Sequence, residues 1–153
     1  MKLSHLLRPE HVFLDLPAET REDVLRHVAE QLAEAGLVRN ADALVELLLD
    51  RERLGATVVG EETAIPHCKV PGLRTLVAAF VRTRRPVSFG ATENEKVRLF
   101  FFVLSPREQP AAHLQVLANI ARLLRNAAAR RHLLEAQDGD ELLAALTRLE
   151  ATP

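Results

Sequence analysis

Cysteine, net charge and long hydrophobic runs are all scarce in this sequence. Among 153 residues there is one cysteine, Cys68, so no internal disulfide can form, and a lone thiol suits a reducing compartment. The 20 basic and 21 acidic residues leave a net charge of −1, so no overall field attracts nucleic acid or anionic lipid. The apolar runs Leu76–Val81 and Leu99–Leu104 have six residues each. Because a membrane-spanning helix needs about 20 apolar residues, we expect no membrane insertion.

The composition that remains is typical of a soluble globular protein. Hydrophobic residues make up 48% of the chain and charged residues 27%, enough for a core without disulfides or a structural metal. The length predicts a single domain over residues 1–153. Glu10 and Asp15 lie where a secretory signal would place its apolar segment. We therefore expect a cytoplasmic protein.

The first third of the chain predicts a strand followed by two helices. Val12–Leu16 is a short β-prone stretch closed by a proline. Thr20–Asp23 has the spacing of a capping box, and the apolar residues that follow at helical spacing end at Gly36. Asn40 can cap a second helix that ends before Gly55.

The rest of the chain predicts two strands and three helices. Gly55–Lys69 has neither helical nor strand periodicity, which favours irregular or edge structure. Leu76–Val81 and Val97–Leu104 are continuous apolar runs, typical of strands buried on both faces. Pro110 suits the first turn of a long helix, and a short and a final helix follow at Arg130 to Ala136 and from Asp138 to Leu146. This order predicts an α/β fold with helices covering a central sheet.

Two apparent motifs in the irregular segment lack residues or geometry that the corresponding sites require. Gly55 and Gly60 have the spacing of a phosphate-binding loop, but Glu61 and Glu62 stand where that loop needs Lys and Ser or Thr. Cys68 beside His67 is a poor nucleophile–base pair, because adjacent residues of an extended chain point to opposite faces. The two residues also lack a second cluster at zinc-like spacing. We expect no nucleotide site and no metal site, with Cys68 as an apolar filler.

His67 is the more informative residue. Pro66 stiffens the backbone before it, so the imidazole is presented in a defined direction. A neutral imidazole can act as a nucleophile, although an exposed loop histidine is the simpler interpretation of this segment alone. Arg51, near the end of the second helix, and His113, in the first turn of the third, would supply two donors for an oxyanion. By itself, a histidine at this position is more often a hydrogen-bonded packing residue than a functional one.

Three runs of sequence together resemble a known family. They are Arg51-Glu52-Arg53-Leu54-Gly55-Ala56-Thr57, then Ala64-Ile65-Pro66-His67, then His113-Leu114-Gln115-Val116-Leu117. Their combination and spacing are similar to the enzyme IIA family of the bacterial phosphotransferase system (PTS), in particular to its fructose/mannitol-type domains and its nitrogen-regulatory member. The resemblance extends from about Leu6 to Leu146.

The resemblance implies a phosphoryl carrier that needs no cofactor. His67 matches the histidine that accepts a phosphoryl group from a histidine-containing phosphocarrier protein, and Arg51 and His113 match the residues that flank the phosphorylated ring. The implied fold is a mixed, mostly parallel sheet with helices on both faces. The implied partners, besides the phosphocarrier, are regulatory target proteins or the IIB domain of a sugar permease.

Three functions stay open within this resemblance. A nitrogen-regulatory protein is favoured because the sequence shows no sugar-transporting membrane domain, and a sugar-specific component is the second. The third is a binding module that is not phosphorylated, since Glu61, Glu62 and Thr63 replace flexible glycines and the added acids would repel a phosphoryl group near His67.

Two basic clusters complete the sequence pattern. Arg82, Arg84 and Arg85 follow one predicted strand, and a second cluster lies at Arg130 to His132. Neither is dense enough to indicate nucleic-acid binding, and we interpret both as solvated faces.

Overall fold

The computed structural model describes residues 2–151 and arranges them around a six-stranded sheet. The helices are Leu3–Leu6 (α1), Arg21–Glu34 (α2), Ala41–Leu54 (α3), Pro110–Arg125 (α4), Ala127–Glu135 (α5) and Gly139–Ala151 (α6). The strands are Val12–Leu16 (β1), Val58–Gly60 (β2), Thr63–Ala64 (β3), His67–Lys69 (β4), Val77–Ser88 (β5) and Lys96–Ser105 (β6). None of the helices within residues 2–151 combines the length and the apolar character that crossing a membrane requires.

The sheet is mixed, as the family resemblance implies. Its strands lie in the order β1-β5-β6-β3-β2, and β4 also pairs with β6, further along than β3. The pairings β1–β5, β3–β6 and β4–β6 are parallel, whereas β5–β6 and β2–β3 are antiparallel. The α/β class with a mixed central sheet is therefore confirmed, although its longest pairing, β5–β6, is antiparallel.

Strand β6 lies between two layers of helices. Phe100 and Phe102 pack in one core cluster with α2 and α3, whereas Phe101 and Val103 pack in the other with α4, α5 and α6. This alternation follows from the two-residue period of a strand, and it confirms a strand buried on both faces. Because helices pack on both faces of the sheet, the ends of α3, β4, β6 and α4 have fixed positions relative to one another.

The helix starts follow the capping residues. Thr20 Oγ1 accepts a hydrogen bond from Asp23 N at 3.1 Å, and the Asp23 carboxylate accepts one from Thr20 N at 3.1 Å, so the predicted capping box is confirmed. Asn40 Oδ1 caps α3 through Ala43 N at 3.1 Å. Pro110 occupies the first turn of α4, as predicted.

Several element boundaries differ from the sequence prediction. Strand β5 continues to Ser88 because, after an irregularity, Val87 pairs again with Val97 of β6. Helix α5 begins at Ala127, since the Asn126 side chain caps it by accepting from Ala129 N. The predicted irregular segment contains the short strands β2, β3 and β4, and helix α1 was not predicted.

The interpretation of Arg82 as part of a solvated face is wrong. Its guanidinium is buried, bonds both carboxylate oxygens of Asp15 at 3.2 Å, and donates to the carbonyl oxygens of Leu133, Leu134 and Ala136. Those carbonyls belong to the C-terminal end of α5, where backbone acceptors lack intrahelical donors. Arg82 therefore joins β1, β5 and α5.

Candidate functional site

The candidate site is a cavity of about 440 Å³ at the edge of the sheet where β4 and β6 end. Arg51, Leu54, His67, Lys69 and His113 are among the residues that line it. Strand β4 supplies a histidine and a lysine, the last turn of α3 an arginine, and the first turn of α4 the second histidine. The carboxyl ends of β4 and β6 meet here because the two strands are parallel. The structure thus brings together all three site residues selected from the sequence.

The half-buried His67 ring is held in one tautomer. Its Nδ1 lies 2.6 Å from the carbonyl oxygen of Ile65. A carbonyl oxygen only accepts, so Nδ1 carries the proton and Nε2 of the neutral ring has a free lone pair. Burial lowers the pKa of His67 below its usual 6.5; the hydrogen bond to Ile65 partly opposes this, and the Arg51 charge adds to it. The ring is therefore a neutral nucleophile at pH 7.

His113 is buried beside it. The two ring centroids are 5.4 Å apart, and the ring planes are inclined at 55°. Ser105, at the end of β6, places its Oγ 2.5 Å from Nδ1 of His113. Burial lowers the pKa of His113, and the nearby His67, Lys69 and Arg51 lower it further.

The loop after α3 fixes Arg51. Its Nη1 donates to the carbonyl oxygen of Gly55 at 2.8 Å, and within residues 2–151 the guanidinium makes no other hydrogen bond. The buried Glu52 accepts from the backbone and hydroxyl groups of Thr57, at 3.1 and 2.6 Å. In this arginine–glutamate–glycine–threonine motif, Glu52 and Thr57 therefore hold the loop, and Arg51 is left to face the cavity.

Strand alternation separates the side chains of β4. His67 and Lys69 line the cavity, whereas Cys68 borders it only as a buried residue of the core cluster that α2 and α3 share. Burial raises the pKa of the Cys68 thiol to about 12, so no thiolate forms near pH 7, and the prediction of an apolar filler is confirmed. Lys69 was missed in the sequence analysis, although its two-residue spacing from His67 in an extended segment was the signal.

The acidic pair Glu61 and Glu62 does not lie at the site. Both form the tight turn between β2 and β3, with φ values of 51° and 59°. The turn meets β6 at Leu99, whereas His67 pairs with Val103, about 13 Å further along that strand at roughly 3.3 Å per residue. Since this exceeds the Debye length of about 8 Å in physiological salt, their charge is largely screened from His67. The expectation of acidic repulsion at His67 is wrong.

Acidic pH will protonate both rings and destabilise the fold. Because the pKa values of His67 and His113 are lowered in the folded chain, the unfolded chain binds more protons below pH 6.5. The stability that the neutral rings contribute is thus present above pH 6.5 and is lost as the pH falls through their folded pKa values. NMR titration of each ring and urea unfolding at several pH values measure both effects. Midpoints at or above 6.5 would contradict the burial argument.

Comparison with known proteins agrees with this geometry. The family model described as "Phosphoenolpyruvate-dependent sugar phosphotransferase system, EIIA 2" matches residues 5–149. A nitrogen regulatory protein of Bradyrhizobium diazoefficiens is 36% identical over 152 residues, which cover 99% of each chain.

Solved structures show the same fold. The nitrogen regulatory protein IIA-Ntr of Neisseria meningitidis matches with a TM-score of 0.85 and 30% identity, over 94% of this chain and 98% of that one. A chain in the complex of enzyme IIAMTL and phosphorylated enzyme IIBMTL from Escherichia coli matches with a TM-score of 0.74 and 27% identity, over 94% and 99%. The chain belongs to the EIIA type 2 family of the phosphoenolpyruvate-dependent sugar phosphotransferase system.

Proposed function

We propose that this chain is a phosphoryl carrier of the nitrogen-regulatory type, phosphorylated on Nε2 of His67 by a histidine-containing phosphocarrier protein. One observation carries the proposal: Nδ1 of His67 donates to the Ile65 carbonyl, which leaves the Nε2 lone pair free in a cavity that also holds Arg51, Lys69 and His113. The lone pair forms the new N–P bond while the donor's N–P bond breaks, and the electron pair of that bond stays on the donor's nitrogen. The Nδ1 proton stays on the ring and remains hydrogen-bonded to the Ile65 carbonyl oxygen as the ring gains positive charge.

The surrounding donors suit a phosphoryl group. Phosphoryl transfer depends on positioning and on neutralising charge spread over three oxygens. The planar guanidinium of Arg51 can donate to two of these oxygens at once, and the Lys69 ammonium adds a mobile positive charge. His113 supplies an additional N–H donor at the wall of the cavity. These groups come from α3, β4 and α4, so their arrangement depends on the fold.

Two exposed leucines mark where the phosphocarrier would dock. Leu54 lines the cavity and is 85% exposed, and Leu114, next to His113, is 67% exposed. They are the most exposed large hydrophobic residues within residues 2–151. Apolar side chains at the rim of a cavity that holds charged groups are typical of a transient protein interface. We propose that the phosphocarrier, and then a regulatory target, covers this surface.

Replacing Leu54 with glutamate will weaken docking and leave the chemistry intact. We expect the KM for the phosphocarrier to rise about tenfold, which corresponds to about 1.4 kcal/mol, with little change in kcat. Steady-state phosphoryl transfer at varied phosphocarrier concentration measures this. Leu134→Glu is the matched control, because Leu134 is 39% exposed on α5 and does not line the cavity. An unchanged KM for the Leu54 variant would remove it from the interface.

The nitrogen-regulatory role rests on the comparisons. The relative from Bradyrhizobium diazoefficiens that covers 99% of this chain is a nitrogen regulatory protein, and so is the neighbour from Neisseria meningitidis. A sugar-specific role is the second candidate, since a neighbour from Escherichia coli is in a complex with phosphorylated enzyme IIBMTL. We propose a cytoplasmic location, where the lone thiol of Cys68 stays reduced.

Intact-mass measurement tests the carrier function. The protein is mixed with phosphoenolpyruvate, enzyme I and the histidine phosphocarrier of the same organism, and we expect it to gain one acid-labile phosphoryl group. His67→Gln will abolish the gain, while the control His132→Gln, at an exposed position on α5, will retain it. If the unaltered protein gains no phosphoryl group, the carrier function is excluded, and the third candidate, a binding module that is not phosphorylated, is the one that stands. Subsequent transfer to a sugar-specific IIB domain would favour the sugar-specific role.

A further inference from the structure

The buried hydroxyl of Ser105 lies behind the second histidine of the site. Ser105 is the last residue of β6 and has no exposed surface, and its Oγ lies 2.5 Å from Nδ1 of His113. Its carbonyl oxygen accepts from Val70 N at 2.9 Å, and its Cα pairs with that of Lys69. The backbone of Ser105 is thus anchored to the end of β4, and its side chain contacts α4.

The hydrogen-bonding capacity of serine decides the direction of this contact. A hydroxyl has one proton to donate, and a neutral imidazole has one donor and one acceptor nitrogen. Within residues 2–151 the Ser105 hydroxyl makes no hydrogen bond other than the one to His113. If Nδ1 were the donor, the buried hydroxyl proton would have no acceptor, which is costly away from water. The hydroxyl therefore donates to Nδ1, and the proton of the neutral ring lies on Nε2.

We propose that Ser105 is a positioning residue that holds His113 in the Nε2–H tautomer, with that N–H directed into the cavity toward the phosphoryl group on His67. Nδ1 faces the buried serine, so Nε2 lies on the opposite side of a ring that lines the cavity. The donor role rests on the proposed function, whereas the choice of tautomer does not. Neither histidine can then be replaced by the other: His67 presents a lone pair, and His113 presents a proton.

The same contact opposes protonation of His113. Protonation would put a proton on Nδ1, and the Ser105 hydroxyl could accept it only by turning its own proton to where it has no acceptor within residues 2–151. The buried serine therefore favours the neutral ring, in which Nε2 carries the proton.

NMR of the ring nitrogens tests the tautomer without any phosphorylation. In two-bond proton–nitrogen spectra at pH 7.5, we expect His113 of the unaltered protein to be protonated on Nε2 and His67 on Nδ1. Ser105→Ala will shift His113 toward a mixture of tautomers, and Ser105→Thr, which restores a hydroxyl, will return it to Nε2–H. Thermal unfolding of each variant shows that it is folded. A proton on Nδ1 of His113, or an unchanged tautomer in Ser105→Ala, would overturn the proposal.

Transfer kinetics then test whether Ser105 acts through His113. We expect Ser105→Ala to lower kcat about 3- to 10-fold, the equivalent of one hydrogen bond, at an unchanged KM for the phosphocarrier. In a His113→Gln background, the same substitution will have no further effect. Independent, multiplying effects would contradict positioning through His113. If His67 takes up no phosphoryl group while both histidines have the expected tautomers, the proposed function fails and the tautomer assignment stands. If His67 is phosphorylated but His113 carries its proton on Nδ1, this inference alone is overturned.

Discussion

Replacing Arg82 with methionine will lower the free energy of unfolding by about 3 kcal/mol or more, because each backbone acceptor left buried and unpaired costs about 1 to 3 kcal/mol. Methionine keeps much of the apolar stem but leaves three carbonyl oxygens at the end of α5 without their donor. Buried acceptors left unpaired account for most of this loss. Urea unfolding of the two proteins measures it.

The partner of Arg82 provides the matched control. Asp15 is more than half exposed, and the Arg82 hydrogen bonds hold the pKa of its carboxyl below the usual value. Asp15→Asn will therefore cost about 1 kcal/mol or less, since a solvated carboxylate contributes little to a pair at the surface. Equal losses for the two variants would show that the ion pair, rather than the end of α5, is what Arg82 stabilises.

Replacing Arg51 with alanine will slow phosphoryl transfer roughly 100-fold or more, as removal of a transition-state donor does in other enzymes. The guanidinium donates to the Gly55 carbonyl, and its positive charge contributes to the lowered pKa values of both histidines. We expect Arg51→Lys to recover only part of the rate, because an ammonium cannot donate to two oxygens from one plane. Rapid-quench measurement of the phosphoryl transfer rate gives both values.

Arg53, two residues further along α3, controls for loss of positive charge in general. Its guanidinium is paired with Asp50 and does not line the cavity. Arg53→Ala will change the transfer rate far less than Arg51→Ala, and both variants will keep the unfolding midpoint of the parent protein within a few degrees. Equal slowing by the two substitutions would mean that Arg51 acts through the overall field and not through contact with the phosphoryl group.

Local signals predicted much of this fold. The capping residues Thr20 and Asn40 begin helices as expected, because each needs only its own side chain and the next turn of backbone. The run at Val97–Leu104 predicted a buried strand, because no surface strand would have so few polar residues. The continuation of β5 to Ser88 depends on pairing with β6, which no local pattern reveals.

The candidate site was predicted less completely than the fold. Motif spacing selected His67, Arg51 and His113, and they do line one cavity. Ser105 was missed because its contact with His113 depends on the angle between β6 and α4. Arg82 was misinterpreted because a charged residue next to other arginines is usually solvated, and its acceptors at the end of α5 are 50 or more residues away in the sequence.

The identity of the phosphorylated nitrogen tests the central claim most directly. The protein, labelled with ¹⁵N in its histidines, is phosphorylated by the phosphocarrier relay, and phosphorus–nitrogen coupling then locates the phosphoryl group. Since Nδ1 of His67 is committed to the Ile65 carbonyl, we expect the coupling at Nε2 of His67, with Nδ1 still protonated. A phosphoryl group on Nδ1 of His67, or on His113, would contradict the account.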